Sequence, residues 1–362
     1  MLEKYEKLLV LDGSGEDRIA EIEKILSGLL FILPCRFRKE RVVSEAVYAL
    51  LLFLKHYHNQ VIYKYIKTLP KHVQRKITTP YAQVIKHFQA KYASYKPVSD
   101  MLFVLQTSSF PAELFVARTS PESQEDFVLV VEATKALLRL YIMYLTSGRL
   151  PLPSNVLGRD FNRKLFAECM KQYTLASSVT TLPRTGKQLP QLSTVQSPSQ
   201  HVRTHVTEYK CLVPTSKLFP KPNRWQQLAN TIKVLRPFVY VVLERYWRRF
   251  RGSHGRKHSW VPWLIALTLE LSARAIHISQ TGKNKAYSYV KTLQDQVYAT
   301  SFRRFLNWAM LQGRYFDQFT SKIITFCALW LGRLPLLGSL IRSALVDFVQ
   351  TCQDFYFFIS NY

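Results

Sequence analysis

Apolar residues recur along this chain at steps of three and four, the spacing of one helix face. In DRIAEIEKILSGLLFI, from Asp17, the stripe is Ile19, Ile22, Ile25, Leu26, Leu29 and Leu30, and Pro34 ends it. RKERVVSEAVYALLLFLKHYHNQVIYKYIKTLP predicts a longer helix with Val43, Ala46, Val47, Leu50, Leu51 and Leu54 on its stripe and Pro70 as the stop. Residues 127–145, FVLVVEATKALLRLYIMYL, predict a third. Later, LANTIKVLRPFVYVVLERYW aligns Leu228, Ile232, Leu235, Val239, Val242 and Tyr246, with Pro237 as a local kink. SWVPWLIALTLELSARAIHI, residues 259–278, aligns Trp260, Leu264, Leu267, Leu271, Ala275 and Ile278. Ser259 stands at its cap position and Pro262 in its first turn, where a missing N–H costs little. Glu270 and Arg274 are four apart on another face, the spacing of an intrahelical ion pair. Strand patterns are nearly absent, so the expected fold is all-α, a multi-helix membrane-associated bundle of long amphipathic helices.

The periodicity stops in the middle of the chain. Residues 177–222 are rich in Ser, Thr, Gln and Pro, and a segment of that composition cannot bury enough apolar surface to offset its ordering entropy. It is expected to be a disordered basic loop, dividing an N-terminal helical region, 1–176, from a C-terminal, membrane-associated helical region, 223–362. No internal repeat is visible.

Charge interrupts every apolar run. A bilayer span needs about 20 mainly apolar residues. Ala46–Leu54 lies between Glu45 and Lys55, Leu140–Gly148 between Arg139 and Arg149, and Glu270 breaks the 259–278 stretch. The best candidate span is 323–341, Ile323 through Trp330 to Ile341, but Arg333 stands near its middle and Pro335 beside it. A central Arg costs about 2.5–3.5 kcal/mol on insertion scales. Residues 259–278 are therefore expected to lie in a membrane interface or against neighbouring helices.

Composition narrows the chemistry. The formal net charge is +26, which calls for an acidic partner surface, either anionic lipid or nucleic acid. Gly numbers only 12 in 362, too few for the phosphate loops and tight turns of a nucleotide-binding α/β enzyme. The five cysteines, Cys35, Cys169, Cys211, Cys327 and Cys352, show no CxxC spacing and read as reduced thiols. Acidic residues such as Glu3, Glu6 and Asp12 break up the N-terminus, which matches no cleavable signal peptide.

Histidines offer little. His56 and His58 fall on different helix faces; His201 and His205 lie in the polar segment; His254 and His258 lie in GSHGRKHS without cysteine partners. Solvated basic surroundings are the plain reading for them, and no metal or cofactor is expected. GxSxG, Walker A and GxGxxG motifs are missing, and no carboxylate pair shares an apolar face with a histidine. The sequence therefore gives an enzyme almost no support; a membrane-bound enzyme of lipid metabolism is the weakest of the readings it leaves open.

Two basic clusters stand out. One is KYIKTLPKHVQRK, with Lys64, Lys67, Lys71, Arg75 and Lys76; the other runs from Arg245 through Trp247, Arg248, Arg249, Arg251, Arg256 and Lys257 to Trp260 and Trp263. Lys and Arg near anionic headgroups gain about 1 kcal/mol each, and Trp prefers the same depth. Both clusters adjoin amphipathic helices, and no helix-turn-helix or RNA-binding strand motif is present. A membrane surface thus fits better than the alternative of a basic helical nucleic-acid-binding protein, and no nucleic-acid partner is expected.

LSGLLFILPCRFRKERVVSEAVYALLLFL, the IKTLP turn, LRPFVYVVL, SWVPWLIAL, RYFDQFTSKIITFCALWLGRLPLLGSLI and DFYFFISNY follow one another in the chain. In that order they resemble the peroxin sixteen family of peroxisomal membrane proteins. The resemblance implies a non-enzymatic role in peroxisome biogenesis: recruiting peroxin three and other peroxisomal membrane proteins, with peroxin nineteen as shuttle, and in some members passage through the endoplasmic reticulum. It also implies that Lys64, Lys67, Lys71, Arg75 and Lys76 act as a targeting signal. Deleting residues 177–222 should leave peroxisome formation intact in a complementation assay; loss of peroxisomes would show that the polar segment does more than connect.

Overall fold

The computed structural model describes residues 21–28, 41–67, 74, 77–150, 221–250, 259–283, 288–332 and 338–360. The elements are α1 Arg41–Ile66, α2 Pro80–Lys91, α3 Tyr95–Thr119, α4 Gln124–Leu145, α5 Arg224–Phe250, α6 Trp260–Lys283 and α7 Ser288–Leu311. A short turn at Gly313–Tyr315 and a π-helical turn at Phe316–Thr320 lead into α8, Ser321–Leu331. Two more helices follow, α9 Gly338–Asp354 and α10 Phe357–Ser360. No strand occurs among the described residues, and the expected all-α class holds. Of the polar segment 177–222, all but Lys221 and Pro222 lies outside the described residues.

These residues gather into two compact units. The smaller draws on 21–28 and 50–90. Its interior holds Val61, Ile62, Ile66, Ile77, Ala82, Val84 and Phe88. His58 is fully buried there, its Nδ1 3.0 Å from Oε1 of Glu23, so this histidine is not solvated as the sequence reading expected.

The larger unit draws on 41–49, 91–150 and 221–360. A turn at Pro121–Ser123 folds α4 back along α3. α5 then runs antiparallel to α4. At one end, Nδ2 of Asn230 donates to the carbonyl of Gly148 at 3.0 Å; at the other, Arg245 pairs with Asp126 and Arg248 with Glu125. Gly148 closes α4 with a positive φ of 81°, its N–H bonded to the Met143 carbonyl at 2.8 Å. A Cβ there would come within 2.5 Å of Gln227, so the turn needs glycine. α6 packs along α5, and α7 lies against both through Phe305, Trp308 and Tyr298.

Charge sits inside this unit. Glu270 of α6 is fully buried; Arg236 of α5 donates to its Oε2 at 2.5 Å, and Lys233 Nζ lies 3.3 Å from its Oε1. The expected pairing of Glu270 with Arg274 is not made. The face of α6 that carries Glu270 turns toward α5, where two cations meet it, and the Arg274 guanidinium instead lies 3.9 Å from the Phe302 ring centroid. Lys233 and Arg236 also sit over the rings of Tyr298 and Phe305, at 4.0 and 4.5 Å. Beyond them Tyr298 donates to Asn230 Oδ1 and stacks on His277 at 3.5 Å between centroids.

A second buried carboxylate holds the end of the chain. Glu113 of α3 accepts the backbone N–H of Tyr356 at 2.9 Å and of Phe357 at 2.8 Å, and Gln124 donates to the Asp354 carbonyl. Lys135, also buried, reaches Ser109 and Glu132 and lies 4.1 Å from the centroid of the Phe357 ring. Phe110, Tyr240, Trp308 and the fully buried Phe357 form the aromatic centre of the core. In α9, burial pushes the Cys352 thiol up to about 12, so it is protonated and inert at neutral pH.

Removing one member of a buried ion pair leaves its partners charged and desolvated, at a cost of about 3–5 kcal/mol. Glu270→Ala should therefore strongly lower thermal stability in detergent. Replacing Lys233, Arg236 and Glu270 together by Met, Met and Leu should recover most of the loss, because no charge is then stranded.

Candidate membrane interface

The outer surface of the larger unit is the complement of its interior. On α5 the residues turned in include Asn230, Lys233, Val234, Tyr240, Val241 and Glu244, whereas Trp225, Leu228, Val242 and Tyr246 are exposed. On α6 the inner face carries Pro262, Ala266, Glu270, Ala273 and His277; Val261, Leu264, Leu271 and Ile278 are exposed, Ile278 by 59%. α4 buries Glu132 and Lys135 and exposes Val130, Leu137, Tyr141 and Tyr144. α3 buries Ser109 and Glu113 and exposes Met101, Val104 and Phe115. Of the apolar stripes expected on α5 and α6, Leu228, Val242, Tyr246, Leu264, Leu271, Ala275 and Ile278 are exposed, Ile232, Leu235, Val239 and Trp260 are half-buried, and Leu267 packs on the core. The interior is itself mostly apolar, with Phe110, Leu114, Val128, Val131, Tyr240, Val241 and Ala266 buried beside these polar groups; the large apolar side chains left outside make a surface that lipid or a partner protein can cover.

The tryptophans at the start of α6 help fix that helix in place. Ser259 Oγ accepts the Val261 N–H at 3.4 Å, the expected cap. Trp263 Nε1 donates to the Ala309 carbonyl at 3.0 Å and its ring stacks on Tyr315; Trp260 meets Trp263 edge to face. Gly313, with a φ of 75°, lets Tyr240 and Trp263 approach, since a Cβ there would stand 3.1 Å from the Tyr240 hydroxyl. Residues 260–280 are also the one stretch among the described residues long and apolar enough, by length and composition, to cross a membrane.

Part of the basic-aromatic cluster is taken up by the protein itself. Arg245 and Arg248 pair with Asp126 and Glu125 in the first turn of α4, and Arg248 also reaches Glu244. Arg249 is exposed and Trp247 half-buried; Arg251, Arg256 and Lys257 lie outside the described residues. In the first cluster, Lys64 and Lys67 are exposed at the end of α1, with Lys67 Nζ 5.4 Å from the Tyr63 ring centroid. Lys71, Arg75 and Lys76 lie outside the described residues. The structure adds Lys86 of α2, 3.0 Å from the centroid of the same Tyr63 ring, which sequence reasoning left out because α2 is remote from α1 in periodicity.

Of residues 323–341, the stretch 333–337 lies outside the described residues. α8 ends at Leu331 and α9 begins at Gly338, and the two pack against each other. Ile323 and Trp330 are exposed on α8, Ile341 falls in α9, and Arg333 and Pro335 lie outside the described residues. No group of three or more metal-ligating side chains occurs among the described residues.

Comparison with known proteins agrees with this surface. The sequence model of the family described as "Peroxisomal membrane protein (Pex16)" matches residues 3–354. Peroxisomal membrane protein PEX16 of Schizosaccharomyces pombe is 30% identical over 362 residues, covering 99% of this chain and 98% of that protein. No solved structure matches. Neither match favours a nucleic-acid-binding protein or an enzyme of lipid metabolism. A match across nearly the whole length shows that the chain belongs to the Pex16 family, and with it that this is a peroxisomal membrane protein of peroxisome biogenesis.

Proposed function

We propose that this protein helps recruit or insert peroxisomal membrane proteins, acting through protein and membrane contacts rather than catalysis. The observation that carries the reading is the set of large apolar side chains left exposed on α3–α6, among them Phe115, Leu137, Val242, Leu264 and Ile278. Hydrocarbon covers such rows at no cost in hydration, and the gain is about 25 cal/mol per Å² of apolar surface removed from water. Arg249, exposed near the end of α5, then lies where an anionic membrane surface or an acidic partner can meet it. Family membership supports peroxin three and peroxin nineteen as partners, and supports arrival at the peroxisome by way of the endoplasmic reticulum. Lys64, Lys67, Lys71, Arg75 and Lys76 serve in this reading as the targeting signal.

Expression of the full chain in cells lacking their own copy should restore peroxisomes and co-purify peroxin three and peroxin nineteen. Changing Lys64, Lys67, Lys71, Arg75 and Lys76 to Ser should move the protein to another compartment while helical content stays normal; unchanged localisation removes the targeting role. Leu264→Ser, Leu271→Ser and Ile278→Ser combined should release the protein from membranes on carbonate extraction. Retention equal to the parent protein would show that this row does not meet lipid.

A further inference from the structure

α3 to α6 make one layer, each helix beside the next in chain order. α7, α9 and α10 lie against one side of it. Phe110 of α3 meets the Phe358 ring, Lys135 of α4 the Phe357 ring and Tyr240 of α5 the Trp308 ring, while Trp263 of α6 donates to the Ala309 carbonyl. Phe348 joins α9 to Phe358. On a helix turning 100° per residue, the exposed Met101, Leu137, Val242 and Leu264 stand roughly 160–180° round from the buried Phe110, Lys135, Tyr240 and Ala266. The layer therefore has one outer face, directed away from α7, α9 and α10.

The two sides of the unit differ in kind. Over 97–117 of α3, 127–146 of α4 and 225–247 of α5, every exposed side chain is apolar or aromatic. Over 260–278 of α6 the two exposed polar side chains, Thr268 and Ser272, donate to carbonyls of their own helix at 2.9 Å. Exposed charge stands beyond these limits, with Lys96, Lys221 and Arg224 at one end of the layer and Arg118, Arg248 and Arg249 at the other. In the elements packed on the inner side, α7 exposes Arg303, Arg304 and Asn307, and α9 exposes Arg342, Gln350 and Asp354.

This contrast within one unit identifies what covers the outer face. Protein interfaces keep roughly a third or more of their area polar, and those polar groups set the register of the partner. Four helices that expose no charge or amide over about 30 Å of their length offer a partner no such guide, and acyl chains need none. We infer that the larger unit rests on the membrane by this face: α3–α6 run parallel to the bilayer plane within one leaflet, and α7, α9 and α10 stand in water. The inference rests on the membrane reading of the outer rows and adds how they meet the bilayer. Lying flat puts both ends of each helix within reach of the phosphates, and cations stand at both ends of the layer. A crossing is opposed by α7. Tyr298 bonds Asn230, and Arg236 lies over Phe305, so Arg303 and Arg304 stand beside 230–236 of α5, well inside its length. An upright layer would carry both exposed guanidinium groups into the hydrocarbon, which rejects them.

The test uses the full-length protein with Cys35, Cys169, Cys211 and Cys327 changed to Ser and the buried Cys352 retained. Lys96→Cys and Arg118→Cys, at the two ends of α3, and Arg304→Cys are each expressed in cells. Intact organelles are treated with a membrane-impermeant maleimide before and after permeabilisation. All three sites should label from the same side. Labelling of 96 and 118 from opposite sides means that α3 crosses, and overturns the inference. Leu137→Cys and Leu271→Cys carry an environment-sensitive fluorophore in phosphatidylcholine–phosphatidylserine vesicles, with Arg304→Cys as reference, and circular dichroism checks that all keep their helical content. Brominated acyl chains should quench the labels at 137 and 271, and iodide should quench them about fivefold less than the label at 304. Lipid quenching at 137 and 271 with the ends of α3 on opposite sides overturns the flat placement alone and leaves the membrane reading standing. Shielding from iodide at 137 and 271 without lipid quenching means that protein covers the layer, and defeats this inference together with the membrane reading of these rows.

Discussion

A carboxylate and two cations buried between α5 and α6 set the terms for the rest of the larger unit. Glu270, Lys233 and Arg236 cannot be left alone in an apolar interior, because each isolated charge would cost several kcal/mol. Together they satisfy one another and lock the register of the two helices, since a shift of one turn would separate the ions by about 5 Å. The two helices also bury Ala229, Val234, Tyr240, Val241, Ala266 and Ala273, while Leu228, Val242, Leu264, Leu271 and Ile278 are exposed. The same logic repeats on α3 and α4, where Glu113, Lys135 and Glu132 turn inward and Val104, Phe115, Leu137 and Tyr144 turn out.

This arrangement links stability to location. In water the outward rows would leave large apolar side chains such as Leu137, Tyr144 and Ile278 exposed. In a membrane they are ordinary, and the interior charges are the feature that demands partners. The C-terminal segment is built into this economy: its backbone N–H groups at Tyr356 and Phe357 satisfy Glu113, and its Phe357 ring lies beneath the Lys135 ammonium. The end of the chain is thus part of the core.

The basic residues divide by environment. Arg245 and Arg248 are held by the acidic first turn of α4, where carboxylates also meet the positive end of the helix dipole. Arg249 remains on the surface. A dense positive run in the sequence is therefore two things at once, an internal clasp between helix ends and a surface field, and only the second is available to lipid or to an acidic partner.

The sequence by itself determined the helices, because a period of three and four, few glycines and prolines at the stops are local properties. It determined the net positive charge, the lack of catalytic motifs and, through the order of its segments, the family. It located the stripes on α5 and α6 correctly. What periodicity does not hold is the side on which a stripe ends up: Leu264, Leu271 and Ile278 form the same pattern whether the neighbour is a core or a lipid. That was decided by Glu270, whose partners Lys233 and Arg236 lie more than thirty residues earlier, beyond the reach of any local spacing rule. Arg274 stood at the right distance in sequence, yet lost the carboxylate to cations that tertiary packing brought closer. The clamp of Glu113 on Phe357 spans still more of the chain. Both depend on the antiparallel stacking of helices, and that is a property of the folded chain, since burial fixes which charges must find each other.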